Sequence, residues 1–106
     1  MSVNLPSIAS CETLIGEIDH RLVAFFCEQA EGYDIPPAEL YRLEGSMACL
    51  LALGLQSESQ LKARLLELAA EYGDKALYER YKRDTRLYLH LAMKPAPVYP
   101  STRSAN

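Results

Sequence analysis

The stretch LEGSMACLLALGL, residues 43–55, decides how the chain is read, because every side chain from Met47 to Leu53 is apolar. A helix with no polar side has to be surrounded. The run is far too short to cross a bilayer, which takes roughly 20 apolar residues. Two ways of covering it remain: the centre of a helical bundle, or the seam between two copies of the chain.

The neighbouring segments have the period of helices. Leu14, Ile15, Ile18, Leu22, Phe25 and Phe26 form one stripe at three- and four-residue steps, predicting a helix over 11–30 capped by Ser10 and stopped by Gly32. Pro36-Pro37 opens a second helix, since a proline ring suits the first helical position. Its stripe is Leu40, Leu43, Met47, Leu50 and Leu51, and Gly54-Leu55 suits a Schellman ending. Ser57-Glu58-Ser59-Gln60 fits a capping box for a third helix with Leu61, Leu65, Leu68 and Tyr72 inward. Asp74 caps a fourth, predicted over 75–93, where Tyr78, Tyr81 and Tyr88 align with Leu89 and Ala92. Arg80 with Asp84, and Glu79 with Arg83, are spaced for surface ion pairs. Nothing reads as a strand.

The expected architecture is all-α, a compact bundle of about four helices over residues 10–93. An N-terminal arm (1–9) and a Pro-rich flexible tail (94–106) extend from it. A chain of 106 residues is one domain's worth, and its composition is that of a globular protein. No basic stretch followed by a long apolar run opens the sequence, so no signal peptide is expected and the cytoplasm is the expected location. Cys11, Cys27 and Cys49 lack metal spacing and read as reduced thiols.

Charge is unevenly distributed. Residues 1–55 hold eight acids against only Arg21 and Arg42, whereas residues 56–106 hold nine basic residues against six acids. Halves of opposite sign can attract within a fold, across a dimer or towards a charged partner.

Motifs that would carry chemistry are weak. Glu17 and His20 have the Glu-x-x-His spacing of di-iron bundles, but no second such pair accompanies them, so no metal is expected. Serines sit at helix caps and in the tail, cysteines lie in or beside apolar stripes, and no phosphate loop or nucleophile elbow occurs. Neither an enzyme nor a cofactor is expected. Residues 53–64 resemble a helix-turn-helix, but Leu61 falls one position late, Leu50 occupies the place of a small crossing residue, and Glu58 would face phosphates. A nucleic-acid-binding regulator using the 57–64 helix or the basic 80–86 face is the alternative, with direct binding disfavoured by the acidic balance.

The leading expectation is a non-enzymatic protein-binding regulator that forms a homodimer and touches no membrane. Its partner-binding residues are read as Met47, Leu50, Leu51, Leu53 and Leu55, with Arg80, Arg83 and Arg86 from the tyrosine- and arginine-rich stretch, since both residue types favour interface hot spots. In size and helical pattern over its whole length, with LEGSMACLLALGL as the candidate contact helix, the chain is similar to small bacterial quorum-sensing antiactivators of the QslA kind. No motif carries over residue by residue. The resemblance implies that the partner is a LuxR-type transcription factor, sequestered by covering its dimerisation surface. A factor that must dimerise to grip both half-sites would then lose its DNA.

Overall fold

The computed structural model describes residues 8–92. Four α-helices follow one another: α1 (Ile8–Ala30), α2 (Pro37–Ala52), α3 (Glu58–Tyr72) and α4 (Lys75–Arg83), closed by a 3-10 turn (Leu89–Ala92). No strand occurs among the described residues. This is the all-α bundle expected from the hydrophobic period. Of the N-terminal arm only Ile8 and Ala9 are described, and they are helical; the tail over 94–106 and Met93 lie outside the described residues.

Helix boundaries follow local chemistry. Ser10 is inside α1 rather than its cap, because no turn residue separates it from Ala9, a strong helix former. The α2 ending is a Schellman motif: the Leu55 N–H donates to the Leu50 carbonyl at 2.9 Å and the Gly54 N–H to the Leu51 carbonyl at 3.0 Å. Gly54 makes it possible with φ of 70°. α1 ends in the same way, the Tyr33 N–H reaching the Glu28 carbonyl at 3.0 Å. Ser57 and Gln60 form the expected capping box on α3, and Asp74 accepts from the Leu77 N–H at the start of α4.

One expectation fails in the fourth helix, which ends at Arg83 instead of running to residue 93. Asp84 accepts from the backbone N–H of Arg86 at 2.9 Å, offering the chain a local turn in place of another helical bond. The break lets the chain fold back so that Leu89 and Ala92 are buried, and the Tyr81 hydroxyl donates to the Leu89 carbonyl at 3.4 Å. The Arg80–Asp84 and Glu79–Arg83 side-chain pairs do not form. Asp84 turns to Arg86, and Arg83 Nε reaches only the Glu79 carbonyl at 3.4 Å.

The core runs from Leu22 and Phe26 of α1 through Met47 and Leu50 of α2 to Leu61, Leu65 and Leu68 of α3. Tyr81 and Leu89 seal it. Phe26 packs edge-on to Phe25 and tilted against Tyr81, ring centres 5.7 and 5.8 Å apart. Three polar links fix the layers. Arg64 of α3 grips Asp19 of α1 through two bonds of 2.7 and 3.0 Å. Glu44 of α2 accepts the Leu89 N–H at 2.6 Å. Lys62 Nζ donates to the Arg86 carbonyl at 3.1 Å while sitting over the Tyr81 ring.

Candidate interaction surface

The apolar stretch is divided by the fold. α2 packs against α1 and the closing turn, and this buries Leu40, Leu43, Met47 and Leu50. From Tyr41 onward the opposite face presents Tyr41, Arg42, Gly45, Ala48, Cys49, Ala52 and Leu53 to the outside. Arg42 is the single charge among them. α2 is therefore a lateral helix with a dry inner side and a nearly uncharged outer one, not the wrapped centre of the bundle.

The predicted contact residues separate accordingly. Met47 and Leu50 are each 1% exposed, so they are core side chains and offer a partner nothing; both leave the contact set. Leu51 and Leu55 are half-buried and packed against the core. Leu53 is 65% exposed, matched on this helix by Tyr41 at 68%. Arg80, Arg83 and Arg86 are exposed but bonded to their own chain, Arg80 Nη1 donating to the Leu91 carbonyl at 3.1 Å. Arg86 reaches Asp84 at 2.8 Å and lies over the Tyr88 ring. That grip holds the Asp84 carboxyl well below the usual carboxylate range.

Tyr41 was not among the residues expected to make contact, whereas Gly45, Ser46, Ala48 and Cys49 are the small residues expected to let a neighbouring helix approach closely. A signal for Tyr41 was present: 41, 45, 48 and 52 step by four, three and four, the spacing of one helical face. Gly45 is the most informative of them. A Cβ placed on it would meet nothing within 4 Å, and its φ is not positive. Glycine inside an exposed helix costs about 1 kcal/mol relative to alanine, and no contact among the described residues requires it there. Beside the face, a hollow of about 480 Å³ leads towards the segment after α4, bordered by Ala48, Leu51, Leu87 and Tyr88 together with the charged Glu44, Glu58 and Arg86.

Glu58, the residue that would oppose DNA binding, stands at the first position of α3, as expected from the capping box. His20 is exposed and shares a shallow hollow with Glu17. Among the described residues no three His, Cys, Asp or Glu side chains come together as a metal-holding group. No helix among them is long and apolar enough to cross a membrane. Comparison of the chain with protein-family models, curated proteins and solved structures gives no match.

Proposed function

We propose that this protein works by binding protein without chemistry of its own, and that the outer face of α2 is its docking surface, occupied by a second copy of the same helix. The observation that carries this reading is Gly45 in the middle of an exposed, nearly uncharged helical face. Small side chains at 45, 48, 49 and 52 let a partner helix approach closely. Tyr41 and Leu53 stand about 18 Å apart along the axis at 1.5 Å per residue. An antiparallel pairing about a two-fold axis would set each against the other copy's opposite end, the self-complementarity that an isologous contact needs. It would also bring Arg42 near the partner helix's carbonyl end, where positive charge is favourable.

Light scattering on the purified chain tests this. The wild type is expected at twice the chain mass and Leu53→Arg at the single mass, with unchanged helicity by circular dichroism. A monomeric wild type overturns the reading. Gly45→Leu should also dissociate the pair, whereas Gly16→Leu, another exposed helical position with open space around it, should not. Cys49 provides a native probe: a short bis-maleimide should link two copies, and Cys49→Ser should abolish the link.

The resemblance to QslA-type antiactivators adds a partner class. A LuxR-type factor would compete with the second copy for the α2 face, and co-purification of such a factor with wild type but not with Leu53→Arg is the corresponding test. The nucleic-acid alternative has less support, because Arg80, Arg83 and Arg86 are already engaged by oxygens of their own chain.

A further inference from the structure

A separate feature lies between α1 and α2. A cleft of about 360 Å³ opens there, with Phe25, Ile35 and Leu43 as its floor and Arg21, Glu28, Glu39 and Arg42 among its walls. The floor is the core itself. These three side chains keep 5%, 4% and 7% exposure, where Leu65, Leu68 and Tyr81 keep none. The two arginines are the only basic residues in the first 55, and both line this cleft. Ion pairs among the described residues join Arg64 to Asp19 and Glu67, and Arg86 to Asp84; none engages Arg21, Arg42, Glu28 or Glu39.

The order of these charges follows from the hairpin. α1 and α2 pack together across a six-residue connection, 31–36, so they run antiparallel. Glu28 is near the end of α1 and Glu39 near the start of α2, which puts both acids at the loop end. Arg21 and Arg42 lie farther from the loop, about 10.5 Å along α1 and about 4.5 Å along α2 from the acid of the same helix, at 1.5 Å per residue. The acids thus share the loop end of the cleft and the arginines lie beyond them, all four exposed and joined by no ion pair among the described residues.

We infer that this cleft is a binding site for a zwitterionic apolar amino acid or short peptide. The ammonium lies between Glu28 and Glu39, the carboxylate between Arg21 and Arg42, and the apolar side chain rests on Phe25, Ile35 and Leu43. Guanidinium groups meet carboxylates with two parallel hydrogen bonds, and free arginines are available for this. The volume is at the lower end of the small-ligand range of roughly 300–1,000 Å³. An apolar floor with a few convergent polar groups is the make-up of such sites.

The site shares Arg42 with the pairing through α2, whereas Arg21, which lies on α1, belongs to the cleft alone and separates the two. The test is a titration of the full chain, followed by ¹H–¹⁵N spectra, with the dipeptide Leu-Leu, its N-acetyl form, its carboxamide form and the doubly capped form. The free dipeptide is expected to give saturable shifts around Phe25, Ile35 and Leu43 by about 10 mM, and each cap to weaken binding by about tenfold. Arg21→Gln should weaken the free dipeptide several-fold and leave the carboxamide unchanged. Glu28→Gln should weaken the free dipeptide and leave the N-acetyl form unchanged. Absence of saturable shifts, or equal binding of the doubly capped form, would overturn the proposal, and neither outcome bears on whether two copies associate.

Discussion

The α3–α4 half and the α1–α2 hairpin treat their arginines in opposite ways. In the former, Lys62, Arg64, Arg80 and Arg86 each donate to an oxygen of the same chain. In the hairpin, Arg21 and Arg42 line a cleft and make no ion pair among the described residues. The tyrosines divide along the same line: Tyr81 is sealed in the core, whereas Tyr33 and Tyr41 are more than half exposed. The cations of the basic half therefore serve folding, as do Asp19 and Glu44 of the hairpin, whereas Arg21 and Arg42 join no ion pair among the described residues. The tyrosine- and arginine-rich 80–86 stretch was expected to share the contact surface with the α2 leucines, yet its three arginines bond to oxygens of their own chain.

The sharpest way to break that comparison is within α2 itself. Leu50→Ala should cost about 2–5 kcal/mol in urea unfolding, because it empties a sealed core position. Leu53→Ala, three residues on, should change the stability of the isolated subunit by no more than about 0.5 kcal/mol. Similar losses at both positions would mean that the outer face is not free.

Glycines provide the next contrast. A Cβ on Gly73, between α3 and α4, would lie 2.7 Å from the Ala69 carbonyl oxygen and 2.5 Å from a Leu77 methyl. Gly73→Ala is therefore expected to destabilise by about 1–3 kcal/mol through overpacking. Gly45→Ala should raise the stability of a single subunit by about 0.5–1 kcal/mol, since the space is open and alanine is the better helix former. Thermal melts of the two variants, taken at concentrations too low for pairing, should shift in opposite directions.

Helix existence, the capping box, the α2 Schellman ending and Gly32 as the stop of α1 were legible because each depends on residues within a turn of one another. Ser57 with Gln60, and Gly54 with Leu55, are local chemistry. The shortened α4 was not legible, because its cause is tertiary: Asp84 can end the helix usefully only when Leu89 and Ala92 have Tyr81 to cover. The division of α2 was hidden for a related reason. Composition showed that Met47 to Leu53 is apolar, but the side that faces the core is fixed by α1 and the closing turn. The cleft charges were in plain view as a pattern, Arg21 and Glu28 followed by Glu39 and Arg42. They acquire meaning only once the hairpin is known to fold back.

Alkaline titration sharpens the account of Tyr81. Burial pushes its phenol above the ordinary tyrosine value. The folded state holds the proton more tightly than the unfolded state, so this contribution is fully present below about pH 10, the unfolded value, and is lost as pH rises beyond it. Stability should fall by about 1.4 kcal/mol per pH unit above that point from this group alone. Tyr81→Phe removes the titration and the weak bond to the Leu89 carbonyl. Urea midpoints at about pH 9 and about pH 11 should therefore differ less in the variant than in wild type.

The smallest expected effect tests the division of labour most directly, by removing one guanidinium from each half. Arg64 bridges α3 to α1 through a two-pronged contact with Asp19, whose hydrogen bond holds the Arg64 proton more tightly than usual. Both side chains are about a third exposed, at 32% and 39%, so solvent screens much of the attraction. Arg64→Gln should cost about 0.5–1 kcal/mol at low salt, and the difference should shrink in about 1 M salt, where screening acts over about 3 Å. Arg21→Gln removes a charge that forms no ion pair among the described residues. It should leave stability within about 0.5 kcal/mol of wild type at either salt concentration. A larger, salt-sensitive loss at Arg21 would show that it serves the fold after all, and the hairpin would then cease to differ from the half beside it.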